Sequence, residues 1–201
     1  MPDPTPSKRR YQKNRQGILD AARTILLKDG ADAISMRALA DLVDYSPAAL
    51  YKYFSNKEEI IDALRQEAWE KLAAHDPALP QGISMADAFV FLGRSYIDFA
   101  TRYPEYYQLI MSTTVTGPEN LEAFKENPNF IGLLSFVEAA VAAGAFRIPA
   151  GYTPFHFAML SWFVVHAVSL LKLTMMSKCA EEFETASMEV IAMLKAAFAA
   201  E

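Results

Sequence analysis

The chain has 201 residues, of which 52% are hydrophobic and 21% charged, with a net charge of −5 at pH 7. That balance describes a packed globular protein and excludes a disordered or low-complexity chain. A single cysteine, Cys179, excludes an intramolecular disulfide and a paired-thiol metal motif. The basic N-terminus has no apolar core of the kind a secretory signal needs, so a cytoplasmic protein is expected.

The charge is distributed unevenly. Met1 to Lys57 holds ten Lys or Arg against six Asp or Glu, whereas the remainder holds nine against eighteen. A basic head on an acidic body is suited to presenting one end to a polyanion while keeping the other away.

Residues 1–13 are proline-rich and then basic, which predicts a flexible arm. Helical periodicity begins soon after, with Ile18, Leu19, Ala22, Ile25 and Leu26 at spacings of one, three and four, and Gly30 supplies a stop. Ser35 caps a second helix, Met36 to about Val43, with Ile34 and Leu39 as a hydrophobic staple. Asp44-Tyr45 form a tight turn. Ser46-Pro47 then opens a very short helix to about Tyr53, with proline at the first position, where its missing N–H costs nothing. Ser55 or Asn56 caps a long fourth helix that ends near His75-Asp76-Pro77.

Two short helices joined by a three- to four-residue turn match helix-turn-helix geometry. The second of them has suitable chemistry. Ala48 and Ala49 are small enough to let the helix approach base edges. Ser46, Tyr51, Lys52 and Tyr53 offer hydroxyls, an ammonium and aromatic rings for phosphates and thymine methyls. Leu50 and Phe54 are left to anchor the helix inward.

Beyond residue 77 the pattern is helical throughout. Ser84 caps a helix carrying Phe89, Leu92, Tyr96, Phe99 and Tyr103, and Pro104 opens a short one through Met111. Gly117-Pro118 and Asn127-Pro128 bracket a helix-poor connection. A helix from about Asn129 to Ala143, an apolar one from Thr153-Pro154 to about Lys178, and a last one from Glu181 to Ala200 complete an all-α chain. The run Phe155 to Leu171 is a little short and too polar to span a bilayer, so it reads as a buried core helix, and no membrane association is expected. Phe183, Val190, Ile191, Leu194 and Phe198 line one side of the final helix. The last two helices are therefore expected to form a homodimer as a four-helix bundle, unless those residues pack only within the subunit.

The stretches Arg15–Arg23, Ser35–Ala40 and Ser46–Glu59, above all Leu-Tyr-x-Tyr-Phe-x-Asn-Lys-Glu at 50–58, resemble the DNA-binding head of the TetR family. Aspartate stands at 44 where that family usually has glycine. The resemblance implies that Pro47 to Tyr53 enters the major groove of operator DNA. It also implies that Ser35, Arg37, Ser46, Tyr51, Lys52, Tyr53 and Lys57 hold phosphates or bases, and that Lys8, Arg9 and Arg10 reach the backbone or minor groove. Tyr96–Met111 and Trp162–Leu170 resemble a subgroup of the family, with Ala167 replacing the glycine of a Trp…His-Gly motif. The implied organisation is an arm (1–13), a helix-turn-helix domain (14–57), a connecting helix (58–76) and a ligand-binding and dimerisation domain (77–201).

In such regulators the body encloses a small effector, here a mainly apolar or aromatic one. The candidate lining on the earlier helices is Phe89, Leu92, Tyr96, Phe99, Tyr107, Ile110 and Met111. Further along it is Phe136, Met159, Trp162, Phe163 and His166. Trp162 and His166 share a helix face at a spacing of four. An ordinary apolar core is the competing reading of the same residues. Catalysis has no visible constellation: none of His75, His156 and His166 has glutamate three residues earlier, and no nucleophile elbow, phosphate loop or His-Glu-x-x-His occurs. No cofactor or metal is expected. An effector-free architectural DNA binder is the other rival, although the body is larger than dimerisation alone requires.

Overall fold

The computed structural model describes residues 5–75, 78–111, 120–126 and 128–200. Among them ten α-helices follow in order: α1 (Pro6–Asp29), α2 (Met36–Val43), α3 (Pro47–Leu50), α4 (Lys57–His75), α5 (Met85–Arg102), α6 (Pro104–Met111), α7 (Leu121–Lys125), α8 (Pro128–Ala142), α9 (Pro154–Leu173) and α10 (Ala180–Phe198). Strand-like pairing among the described residues is confined to one antiparallel bridge, Phe146 to Ala199. The all-α expectation holds. The expected breaks at Asp76-Pro77, Gly117-Pro118 and Asn127 lie outside the described residues. The chain divides into two compact units, Met1–Ala73 with Glu105–Thr114, and Ala74–Pro104 with Val115–Glu201.

In the first unit, the arm expected at residues 1–13 is instead helical from Pro6. The Thr5 hydroxyl accepts from the Lys8 N–H (3.4 Å) and Pro6 occupies the first helical position, so two local devices start the helix there. The helix ends at Gly30, whose φ of 82° suits glycine and whose N–H donates to Leu26 O at 3.1 Å. Its face of Ile18, Leu19, Ala22, Ile25 and Leu26 is buried, as are Ile34, Leu39, Leu50, Phe54, Ile60, Ile61 and Leu64. Each large side chain so buried contributes about 1.5–3 kcal/mol. Arg23 forks onto Glu67 (3.0 and 2.8 Å) and ties α1 to α4. The Glu67 carboxylate holds the guanidinium still further into its charged form. α6 joins this unit, with Arg65 Nε donating to Leu109 O at 3.4 Å and Lys71 Nζ lying 5.5 Å above the Tyr106 ring.

In the second unit α9 packs against α5, α8 and α10. Its core includes Phe89, Ile97, Phe130, Val137, Phe146, Phe157, Ile191 and Leu194. The helix-poor connection contains α7, because Asn120 Oδ1 accepts from the Ala123 N–H at 2.9 Å and starts a helical turn that hydropathy alone does not signal. The C-terminus is held by Phe198, stacked on Phe157 at 4.2 Å, and by Arg147 N–H donating to Phe198 O at 2.7 Å.

The reading of α9 as a buried core helix needs correction. Phe157, Ala158, Ser161, Val168 and Ser169 are buried, but Leu160, Phe163, Ala167, Leu170 and Leu171 are exposed on another face. Among the described residues its neighbours cover one side and leave this apolar side open. By length and composition alone, α9 is the one described helix that could cross a membrane.

Candidate DNA-binding head and effector cluster

α2, the turn and α3 are each set by a local device. The Ser35 hydroxyl accepts from the Ala38 N–H (3.1 Å) and starts α2, while the Ser46 hydroxyl accepts from the Ala49 N–H (3.3 Å) and starts α3. Between them Asp44 adopts φ 56°, ψ 41°, the left-handed conformation, which aspartate tolerates better than most residues. Tyr45 N–H then donates back to Ala40 O at 3.0 Å. Asp44 therefore holds a left-handed conformation of the kind that glycine adopts most readily. Regular helix in α3 ends at Leu50, but Tyr53 and Phe54 N–H groups both bond Leu50 O (2.8 and 3.0 Å), so the segment stays coiled to residue 54. Of the two alternative caps for α4, Asn56 is used: its Oδ1 accepts from the Glu59 N–H at 2.8 Å.

This framework presents the expected face to solvent. Leu50 is 0% and Phe54 1% exposed, anchoring the segment inward, while Tyr51 is 56% exposed. Ser46, Pro47, Ala48 and Lys52 are exposed, and Ala49 and Tyr53 are half-buried. Ser35 and Arg37 lie exposed on the first turn of α2, and Lys57 is half-buried at the first position of α4. Lys8, Arg9 and Arg10 are exposed on the first turns of α1. Among the described residues no carboxylate forms an ion pair with Lys8, Arg10, Arg37, Lys52 or Lys57. Asp41 and Asp44 are exposed, as expected of turn residues.

The twelve effector candidates are distributed over both units. Tyr107, Ile110 and Met111 sit on α6 in the first unit. In the second, Phe89 is committed to the core, 5.3 Å from Phe157 and 5.5 Å from Phe146. Phe99 is buried 5.6 Å from His75, which itself lies 3.0 Å from Asp98 Oδ2. Leu92, Phe136 and Met159 are half-buried, whereas Phe163 is 55% exposed on the open face of α9.

The structure does bring together Tyr96, Trp162 and His166. The His166 ring lies 4.2 Å from Trp162 and 5.1 Å from Tyr96, with Tyr96 Oη 3.5 Å from Nδ1. Burial lowers the His166 pKa to about 4, so the imidazole is neutral at pH 7 and offers one donor and one acceptor nitrogen. Sequence reasoning missed Phe124 and Phe130, 6.2 and 5.6 Å from Trp162 with rings nearly perpendicular. The Asn120 cap was the available signal for Phe124. The expected dimer residues on α10 are corrected as well. Ile191 and Leu194 are buried, and Phe183 and Phe198 pack on the same core, leaving Val190 with Met193, 67% exposed, on the open face.

Residues 18–64 match the family described as bacterial regulatory proteins, tetR family. The chain is 32% identical over 68 residues to the HTH-type nicotine-responsive transcriptional repressor HdnoR of Paenarthrobacter nicotinovorans, covering 34% of this chain and 35% of HdnoR. It is 34% identical over 79 residues to the HTH-type transcriptional regulator UidR of Escherichia coli K12, covering 39% and 40%. The chain thus spans well under half the length of these relatives. A solved bacterial regulatory protein of the tetR family from Rhodococcus RHA1 superposes with a TM-score of 0.65 at 16% identity, covering 94% of this chain and 98% of that one. That likeness concerns the fold.

Proposed function

We propose, from the match of residues 18–64 to the tetR family, that the chain is a dimeric transcriptional repressor released from its operator by a small, mainly apolar or aromatic effector. The observation that carries the DNA-binding part is the exposed Ser46–Tyr53 face, anchored by Leu50 and Phe54 behind the left-handed turn at Asp44. In this reading Pro47, Ala48 and Ala49 approach base edges. Ser35, Arg37, Ser46, Tyr51, Lys52, Tyr53 and Lys57 hold phosphates or bases, and Lys8, Arg9 and Arg10 extend the contact along the backbone.

A second copy of the chain is the proposed occupant of the open faces of α9 and α10. Leu160, Phe163, Ala167 and Leu170–Leu171 recur along α9 at helical spacing, and Ala186, Val190, Met193 and Ala197 along α10. A two-fold interface needs only one self-complementary patch. It also supplies the second head required to read half-sites one DNA turn, about 34–36 Å, apart.

The proposed effector site is the cluster of Tyr96, Trp162, His166, Phe124 and Phe130. Apolar walls and a neutral imidazole favour an uncharged aromatic ligand. The proposed route to the DNA is α4, an unbroken helix from Lys57 to His75, whose angle the effector changes.

Selection of duplexes from a random-sequence pool tests the reading. The expected product is a pair of symmetry-related half-sites, and a pool with no enrichment overturns it. Compounds that raise the melting temperature yet leave binding to that duplex unchanged would overturn the effector part alone.

A further inference from the structure

Tyr53 closes the exposed recognition segment, and three contacts hold its side chain. Asn14 Nδ2 on α1 donates to Tyr53 Oη at 2.9 Å. The Tyr11 ring, also on α1, lies 5.1 Å from the Tyr53 ring at a tilt of 34°. The Tyr45 ring stacks from the turn at 6.3 Å and 14°. The supporting stretch of α1 is itself well anchored, with Ile18 buried and the Arg15 guanidinium 4.3 Å above the ring of Phe54. Two rings therefore limit the plane of the tyrosine, and one amide fixes its tip.

The direction of the hydrogen bond has a chemical consequence. A phenol oxygen accepts through its lone pairs and donates its single proton. With an Asn14 N–H on the acceptor side, the Tyr53 O–H proton is directed elsewhere, and the incoming bond polarises it. A phosphodiester oxygen is an acceptor only, so a hydroxyl with its proton turned outward is the form that it can bind.

We infer that Asn14 is a positioning residue for DNA recognition: it presents the Tyr53 hydroxyl as a donor to a backbone phosphate, while Tyr11 and Tyr45 hold the ring. The inference rests on the reading of residues 46–53 as the DNA-contacting segment. It makes the third turn of α1 part of the recognition apparatus through a side chain that need not touch DNA itself.

A double-mutant cycle tests it. Wild type, Asn14→Ala, Tyr53→Phe and the double variant are titrated by fluorescence anisotropy, at fixed salt, against the duplex that the wild-type protein enriches from a random pool. Circular dichroism melts report whether each variant is folded. Each single change is expected to weaken binding about five- to tenfold, the worth of one hydrogen bond. The double variant is expected to lie within about twofold of Tyr53→Phe, because Asn14 acts only through the hydroxyl. A residue that merely stabilised the head would give the same loss in both backgrounds, and that result, or unchanged binding by Asn14→Ala, overturns the inference alone. A pool without an enriched duplex overturns the DNA-binding reading and this inference with it.

Discussion

Acidification should destabilise the second unit through His166. The side chain lies between Trp162 at 4.2 Å and Tyr96 at 5.1 Å, and burial lowers its pKa from 6.5 to about 4. Between those two pH values the unfolded chain binds a proton that the folded chain does not. Stability is therefore present in full above pH 6.5 and declines as pH falls toward 4. The whole gap corresponds to about 3 kcal/mol, and the step from pH 7 to pH 5 to about 2 kcal/mol. For a protein of this size the step amounts to about 4–8 °C in Tm. The comparison is wild type against His166→Gln, which removes the titrating ring but keeps a polar side chain, melted at pH 7, 6 and 5. Asp20 and Asp87, both lowered by hydrogen-bonded partners, are common to the two proteins, so the difference isolates His166. Wild type should lose about 4–8 °C more than the variant between pH 7 and 5. Parallel losses would refute the reasoning.

Tyr51→Ala and Lys52→Ala should each weaken binding to the selected duplex while leaving Tm and oligomeric state unchanged, since both side chains are exposed. Lys52→Ala should also reduce the slope of log affinity against log salt by about one, measured by titration at several salt concentrations. Leu50→Ala should cost about 2–5 kcal/mol in denaturant unfolding, because a fully buried anchor leaves a cavity. At the left-handed turn, Asp44→Gly should be tolerated, whereas Asp44→Val should destabilise by about 1–2 kcal/mol in the same assay. Phe163→Glu should convert a dimer to a monomer in sedimentation velocity without lowering helix content, and a persistent dimer would place the interface elsewhere.

Much of the head was legible because its determinants are local. Ser35, Ser46 and Asn56 each accept from an N–H three residues on, and the helix starts follow directly. Leu50 and Phe54 point inward by the spacing of an amphipathic helix. The start of α1 was misread for the opposite reason: composition suggested an arm, but the Thr5-Pro6 cap outweighs it. The same kind of short cap, Asn120, hid α7 inside a segment that reads as a loop.

In the body, the sequence alone determined that every described helix except α7 exists, where most of them start, and that α9 is largely apolar while α10 carries a row of large apolar residues. Hydropathy records how many faces of a helix seek cover; it carries no information about what covers them. Only the packing decided that Ile191, Leu194, Phe183 and Phe198 face their own core while Val190 and Met193 remain open. Only the packing brought Tyr96 to His166 across 70 positions and set Phe163 apart from Trp162, its neighbour in the chain. Contacts between distant segments depend on how rigid helices cross, whereas caps and turns close within five residues.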